Sequence, residues 1–231
     1  MHKLTHFRLC PFSRSIRIAL AEIGLDVELV EERPWEWRQS LLALNPAGDL
    51  PVLSLHGGPT LCGAYVISEF IAEEVRNHPA DGLSVPLFPG NREERAEVRR
   101  MVDWFHRKLD REVTRELLIE KVYPRTGARP PQPPDAEILR AIRANIRYHL
   151  SYIAYLADER KWLAGDVMSF ADLAGAAHLS CVDYLGEVPW DAFPAARLWY
   201  QRMKSRPSMR AILAERIPGT VPPLHYANPD F

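Results

Sequence analysis

Apolar and polar positions alternate at the start of the chain and then recur at helical spacing. The alternating residues 4–9 predict a strand, and the apolar positions of residues 13–23 predict a helix that ends at Gly24. A second apolar stretch, 27–30, predicts another strand. Because two strands flank one helix, the three elements are predicted to form a right-handed βαβ unit with parallel strands.

Pro51 begins the next apolar stretch, and its position bears on the chemistry of the fold. A proline cannot donate a ladder hydrogen bond, so the residues alone leave open an edge position in the sheet or a special backbone position. Residues 56–58 predict a hairpin turn into a short strand at 60–62. The pattern of residues 64–76 then predicts a further helix.

Proline and glycine residues without a period separate this first part from a second part that is helical throughout. Residues 81–92 are predicted to link an N-terminal domain, 1–80, to a C-terminal domain, 93–216. Two long helices are predicted to pair antiparallel around the proline-rich residues 124–134. Their apolar positions are Val98, Val102, Phe105, Leu109 and Val113 in the first helix, and Leu139, Ile142, Ile146, His149, Ile153 and Leu156 in the second.

Ser169 and Asp172 have the spacing of a helix capping box, with aspartate in place of the usual glutamate or glutamine. The residues that follow, 173–179, are almost all small or apolar, which predicts a helix at the centre of a bundle. The last residues, 217–231, contain four prolines and no helical period, so they are predicted to form a separate tail. The fold class is therefore predicted to be α/β followed by all-α.

Composition narrows the functional classes. Basic residues number 29 and acidic residues 30, giving a net charge of −1, so no overall field attracts nucleic acid or an anionic membrane. Three cysteines far apart in the sequence argue against a secreted disulfide framework, and no apolar run of about 18 residues predicts a membrane span. The chain is predicted to be a cytoplasmic protein without a metal site.

Three stretches of the N-terminal part resemble the glutathione S-transferase family. They are Cys10-Pro11-Phe12-Ser13, the residues 45–53 around Pro51, and the residues 61–67. The Ser-x-Ala-Asp element at 169–172 resembles the capping motif of the family's C-terminal domain. This resemblance implies a thioredoxin-like N-terminal domain followed by an all-helical C-terminal domain, with Pro51 as the cis-proline of the thioredoxin fold.

The resemblance also places a glutathione site, at Cys10, Leu50, Pro51, Gly63 and Ala64. Cys10 occupies the catalytic position of the cysteine-type transferases, and a helix N-terminus there is expected to favour its thiolate. Gly63 and Ala64 stand where the family has an acid and a serine that grip the γ-glutamyl group. Each lost charge-assisted hydrogen bond is worth about 1.5–3 kcal/mol, so binding is expected to weaken on the order of 10²-fold or more.

Two functions remain open for Cys10. In the first it is a residue inherited from an enzyme, no catalytic residue is expected and no cofactor is bound. In the second Cys10 and Ser13 serve thiol transfer, with glutathione bound weakly; serine at position 13 makes dithiol chemistry unfavourable. A Cys10–Cys62 disulfide is a conceivable but disfavoured redox switch, and Cys181 is expected in the core.

Surface chemistry suggests a protein partner. Trp35 and Trp37, two residues apart and followed by Arg38, cannot share one helix face, so at least one is expected to point outward. Tryptophan and arginine are the residues most enriched at interface hot spots. The alternative is that one tryptophan fills the domain interface and the other is incidental. A second candidate surface is the row of Arg140, Arg143 and Arg147 along one helix face, which suits an acidic partner peptide or is simply solvated.

Further stretches, including Arg111 to Arg115 and the tail, resemble a specialised bacterial group of the family that binds the tubulin homologue FtsZ. That resemblance implies a homodimer located at the division site, which binds FtsZ filaments and favours their curved, bundled form. It places Arg115 with the tryptophan and arginine residues among the partner-binding positions. The tail is expected either to dock a further division protein through Asp230 and Phe231, or to pack over the helical domain.

Overall fold

The structure, a computed structural model, describes residues 1–77 and 86–231. A four-stranded sheet lies in its N-terminal part, in the order β2-β1-β3-β4. Strands β1 and β2 are parallel, and β3 is antiparallel to both β1 and β4, which confirms the βαβ unit and the hairpin. The strands are β1 at His2–His6, β2 at Val27–Glu31, β3 at Val52–Ser54 and β4 at Thr60–Cys62.

Three helices accompany the sheet: α1 at Pro11–Glu22, α2 at Gln39–Leu44 and α3 at Ala64–Asn77. Helix α1 begins two residues earlier than predicted. Pro11 stands at its first position, where a missing N–H costs no hydrogen bond, and Cys10 serves as the N-cap. Cys10, which occupies the catalytic position of the family, is therefore the residue that caps helix α1.

The first long helix of the C-terminal part has three continuous sections. They are α4 at Arg92–Asp103, a π-helical segment at Trp104–Thr114 and α5 at Arg115–Lys121. The predicted long helix is confirmed, but its apolar spacing gave no sign of the π-helical segment. After the short α6 at Tyr123–Thr126 comes α7 at Ala136–Glu159, which packs on the π-helical segment.

Helix α8, Phe170–Tyr184, is buried along its whole length, as its small and apolar residues predict. Its capping box is confirmed: Ser169 Oγ accepts from the Ala171 amide, and Asp172 Oδ2 accepts from the Ser169 amide at 3.1 Å. Helices α9 at Pro194–Lys204 and α10 at Arg210–Ala214 complete the bundle.

Helix α8 also packs on α1 and thereby joins the helical part to the sheet. The fully buried Arg14 of α1 donates from Nη1 to Ser180 Oγ on α8 at 2.8 Å, and from Nε to the Arg8 carbonyl at 2.7 Å. Cys181 lies in this core, as predicted, with its thiol 3.3 Å from the Leu9 carbonyl oxygen. The loop between β1 and α1 is therefore held from the helical side.

The predicted linker, 81–92, lies partly outside the described residues. Residues 86–91 form neither helix nor strand, and α4 begins at Arg92. The buried Leu87 accepts a hydrogen bond from the Phe170 amide at 2.8 Å, so this described part is fastened to the start of α8.

The tail packs over the helical domain, which is one of the two arrangements expected from sequence. Tyr226 is fully buried, donates to the Ile212 carbonyl at 3.3 Å and contacts the Tyr184 ring edge-on at 5.1 Å. A 3₁₀ turn at Leu224–Ala227 brings Tyr226 to this position. Val221, by contrast, is almost completely exposed.

Candidate functional site

Cys10 lies at the junction of the two domains, in the loop that joins β1 to α1. Its sulfur accepts a hydrogen bond from the Ser13 amide at 3.4 Å and lies 3.9 Å from the Leu50 carbonyl oxygen. Ser13 is buried beneath it, so its hydroxyl is not presented to a ligand. The structure thus brings together Cys10, Ser13 and Leu50, three of the positions expected at the site.

The expectation that the helix N-terminus makes Cys10 a thiolate is wrong. Burial raises the pKa of Cys10 above its ordinary value, and the nearby Asp110 carboxylate raises it further, while the hydrogen bonds from Ser13 only partly oppose this. At neutral pH Cys10 is therefore a protonated thiol. A partly buried, protonated thiol is a poor nucleophile.

Asp110 is the functional-site residue that the sequence analysis missed. It lies half-buried in the π-helical segment, within electrostatic range of Cys10, and burial raises its pKa to about 6. Tyr123 of α6 is close by, and its pKa is also raised by burial and by both Cys10 and Asp110. The Asp110 carboxylate disfavours a second negative charge near Cys10, whereas Tyr123 stays a neutral phenol. No local motif marks Asp110, since only the packing of the two domains brings it near Cys10.

Pro51 is joined to Leu50 by a cis peptide bond, as the resemblance implies. Its carbonyl accepts a hydrogen bond from the Gly63 amide at 2.9 Å, which holds the start of β3 against the end of β4. Leu50 is buried, with its carbonyl oxygen directed toward the Cys10 sulfur. The cis peptide bond that the resemblance implies therefore lies beside Cys10.

The side-chain part of that site is missing. Gly63 has a positive φ of 87°, and a Cβ added to it would meet nothing within 4 Å. Ala64 is 3% exposed and opens α3 without a hydroxyl. A Cβ at position 63 would thus meet no neighbouring atom, and neither position offers a polar side chain.

The two other cysteines do not complete a redox pair in the structure. Cys10, Cys62 and Cys181 are all free thiols. Cys62 is partly exposed at the end of β4 and its sulfur lies 3.6 Å from the Leu44 carbonyl oxygen. Burial raises the pKa of Cys181 to about 12, as expected for a core thiol.

Trp35 and Trp37 occupy different environments. The Trp35 ring lies between the two domains, with its centroid 5.0 Å from Phe7 and 5.4 Å from Tyr123. The Trp37 side chain is 63% exposed and rests one ring edge against Gly48. The prediction that one tryptophan points outward is confirmed, and the other fills the domain interface.

Trp37 also has an unusual backbone. Its φ of 48° makes it the one non-glycine residue with positive φ in ranges 1–77 and 86–231. Such conformations cost about 1–3 kcal/mol and cluster at functional sites. Next to it, Arg38 pairs with Glu36 through both Nε and Nη2, at 2.8 and 2.5 Å. We call Trp37 and Arg38 the Trp37 patch.

The other predicted partner-binding arginines lie on the helical domain. Arg140, Arg143 and Arg147 are all exposed on α7, and Arg143 pairs with Glu187 at 2.8 Å. Arg115, at the start of α5, is exposed and pairs with Glu116 at 3.3 Å. The structure thus places Arg115 and the α7 arginines on the helical part, while the Trp37 patch belongs to the N-terminal part.

The predicted tail residues differ in their surroundings. Asp230 is exposed, whereas Phe231 is partly buried and packs against the helical domain. The Phe231 ring contacts Trp190 at 5.2 Å, and its carbonyl oxygen accepts from Arg197 Nε at 2.8 Å and Gln201 Nε2 at 2.7 Å. The described part of the tail is therefore fastened at its end.

The described ranges contain neither a metal-ligand cluster nor a helix that could span a membrane. Among residues 1–77 and 86–231, no three histidine, cysteine or acidic side chains are grouped as metal ligands. No helix in the part of the chain that the structure describes is long and apolar enough to cross a membrane.

Alkylation of Cys10 is expected to be slow at neutral pH. Because burial raises its pKa, the rate with iodoacetamide should rise with pH through a midpoint above 9.0, the ordinary value for a thiol. Mass spectrometry of the Cys10 peptide gives the rate at each pH, and the same peptide in the urea-unfolded chain is the control. A midpoint below pH 7 would show an activated thiolate instead.

Comparison with known proteins gives two family matches. The N-terminal domain of glutathione S-transferase matches residues 4–79, and the C-terminal domain of glutathione S-transferase matches residues 120–207. FtsZ-localized protein A of Caulobacter vibrioides is 44% identical over 234 residues, covering 99% of this chain and 97% of that protein.

Solved structures are similar over the whole chain. A glutathione S-transferase from Rhodospirillum rubrum F11 superimposes with a TM-score of 0.92 at 46% identity, covering 100% of both chains. FzlA from C. crescentus superimposes with a TM-score of 0.91 at 43% identity, covering 100% of this chain and 99% of that one. The thioredoxin-like sheet domain and the all-helical domain are thus shared with both.

Proposed function

Because this chain belongs to the glutathione S-transferase family, we propose that it is a non-catalytic member that binds FtsZ filaments and regulates bacterial cell division. The observation that carries the proposal is the 44% identity to FtsZ-localized protein A over 99% of the chain. The chain also has glycine and alanine at positions 63 and 64, where the family has the acid and the serine that bind the γ-glutamyl group. Bound along filaments, it would favour their curved or bundled form and would be located at the division site.

The geometry around Cys10 supports the loss of catalysis. Gly63 and Ala64 provide no polar side chain for the γ-glutamyl group, and burial keeps Cys10 protonated. Asp110 adds negative charge opposite the thiol, which disfavours an anionic tripeptide. The alternative function, thiol transfer through Cys10, has the fold in its favour but has these three features against it.

We assign filament binding to the Trp37 patch. A tryptophan left 63% exposed at a strained backbone position is typical of an interface hot spot. Arg38 is ion-paired to Glu36 and half-exposed, so its charge is presented in a fixed direction. Arg115, on the helical side, would add to the same contact only if the filament spans both domains.

A second contact would use the helical domain. Arg140 and Arg143 on α7, together with Asp230 and Phe231 of the tail, are proposed to engage a further division protein. A homodimer would present each surface twice, related by a two-fold axis, which is a suitable geometry for bridging neighbouring protofilaments.

Co-sedimentation tests the proposal. Purified FtsZ of Caulobacter vibrioides, assembled with GTP, should carry this protein into the pellet, and electron microscopy should show curved or bundled filaments. The protein alone should stay in the supernatant. Absence of pelleting at low salt with well-formed filaments would contradict FtsZ binding.

Glutathione titration tests the loss of the tripeptide site. Calorimetry of the native chain is expected to show no tight binding, whereas the double variant Gly63→Glu, Ala64→Ser should bind on the order of 10²-fold more tightly. The positive φ at position 63 costs the new glutamate about 1–2 kcal/mol, less than the two charge-assisted hydrogen bonds gain.

Ala64→Ser alone is the matched control and should recover only part of the affinity. Tight binding by the native chain, with turnover that Cys10→Ala abolishes, would overturn the non-catalytic assignment. A folded double variant that still fails to bind would show that the two side chains are not what the site lacks.

A further inference from the structure

A cavity of about 640 Å³ lies on the helical domain, between α7, the residues after α8 and the tail. A smaller depression of about 230 Å³ shares Arg147, Val188 and Pro189 with it and extends it along α7 to Arg143. We call the two together the α7 groove. Apolar residues, among them Val188, Pro189, Trp190 and Phe231, form its floor.

The rim of the α7 groove carries an excess of positive charge. Glu187 is held by both Lys121 and Arg143, so one carboxylate faces two cations. Within the described residues Arg147 has no ion pair. Arg197 pairs with Asp191 at 3.3 Å, but Asp191 is fully exposed, at 101%, and an ion pair in water contributes little.

The Phe231 side chain shows that one end of the groove accepts an aromatic ring among cations. The Phe231 ring lies 3.8 Å from the Lys204 ammonium and 5.1 Å from the Arg197 guanidinium, measured to the ring centroid, and stacks on His225 at 5.3 Å. Cations over an aromatic face stabilise it by electrostatics as well as by packing. One end of the groove is thus already filled by an aromatic residue that follows an acidic one, Asp230.

The remaining length of the groove is open. Leu224 lines it with a side chain that is completely exposed, at 102%, and the adjoining tail residue Val221 is 92% exposed. These two large apolar side chains are exposed to water beside a groove that has a basic rim and an apolar floor. Such a surface is typical of a site that a protein partner covers. A compact polar ligand would leave both uncovered, whereas an extended peptide would reach them.

We propose that the α7 groove binds an extended acidic segment of a protein partner that carries an aromatic side chain. The aromatic side chain would pack on Pro189 and against Leu224, while carboxylates of the segment would pair with Arg147 and Arg143. This proposal specifies the peptide chemistry that the second contact of the proposed function would bind. It rests on the proposed function only in assuming that the partner is a protein. It does not involve the Trp37 patch.

Fluorescence anisotropy with the full chain tests the site. The probe is a short labelled peptide of aspartate and glutamate with one central phenylalanine, and saturable binding that weakens with added salt is expected. Arg147→Glu should weaken binding at least about tenfold, because it places a negative charge at the unpaired position. Arg210→Glu makes the same charge change at an exposed position outside the groove and should leave binding within about twofold.

Further variants separate the apolar and ionic parts. Leu224→Ser should weaken binding about threefold or more without lowering the melting temperature, since its side chain is fully exposed. Replacing the peptide's phenylalanine by alanine should weaken binding similarly. Absence of saturable binding, equal binding of the alanine peptide, equal loss in Arg147→Glu and Arg210→Glu, or equal binding of a single-stranded oligonucleotide would each overturn the proposal.

FtsZ pelleting provides the independent readout. If Arg147→Glu loses the acidic peptide but still pellets with FtsZ, the α7 groove and filament binding are separate, as proposed. If the native chain binds the peptide but never pellets with FtsZ, the groove stands and the proposed function fails.

Discussion

Asp172→Ala is expected to lower the free energy of unfolding by about 3–5 kcal/mol, because it leaves buried donors without acceptors. Asp172 has no exposed surface. Its Oδ1 accepts from the Leu163 amide at 3.0 Å and the Trp199 indole at 2.9 Å, and its Oδ2 accepts from the Ser169 amide at 3.1 Å. One carboxylate therefore joins the start of α8 to the loop before it and to α9.

Urea denaturation followed by far-UV circular dichroism gives the free energy, provided that the slope with urea stays unchanged. Asp172→Asn is the closest control, because it keeps the side-chain volume but presents an NH₂ group to one of the two sets of donors. Its free energy of unfolding should lie between those of the wild type and Asp172→Ala. Ser169→Ala removes only the cap and should cost about 1 kcal/mol. A loss below about 1 kcal/mol for Asp172→Ala would mean that water satisfies these donors.

Trp37→Ala is expected to weaken FtsZ co-sedimentation about thirtyfold, equivalent to about 2 kcal/mol, the size typical of an interface hot spot. The melting temperature should change little, since the side chain is mostly exposed and alanine keeps the Cβ, so the backbone strain at positive φ stays the same. Pelleting across a range of FtsZ concentrations gives the affinity, and thermal unfolding gives the stability.

Trp35→Ala is the matched control and should show the opposite pattern. Its ring fills the space between Phe7 and Tyr123, so its removal should lower the melting temperature markedly by leaving a cavity at the domain interface. If Trp37→Ala unfolds the chain, or pellets as wild type does, the Trp37 patch is not the filament contact.

Local patterns predicted much of this fold. Strand β2, helix α3 and the capping box of α8 each depend on residues within a few positions of one another, so one stretch of sequence contains the whole signal. The missing side chains at Gly63 and Ala64 were likewise visible, because the surrounding motif fixes what should stand there.

Features that depend on distant residues could not be predicted in the same way. Asp110 and Cys10 are one hundred positions apart, and only the packing of the π-helical segment against the N-terminal domain brings them within electrostatic range. The protonation state of Cys10 followed from that burial rather than from the helix end, which is why the thiolate expectation was wrong. The fastening of Phe231 by Arg197 similarly needs the folded bundle.

The buried hydrogen bond between Arg14 and Ser180 has a consequence for how the chain unfolds. Separating the sheet from the helices would break this hydrogen bond and expose the packed faces of α1 and α8 to water, which removes much of the apolar burial that stabilises both parts. The two domains should therefore melt in a single cooperative transition. A substitution that destabilises the buried helix α8 should then also destabilise the loop that contains Cys10.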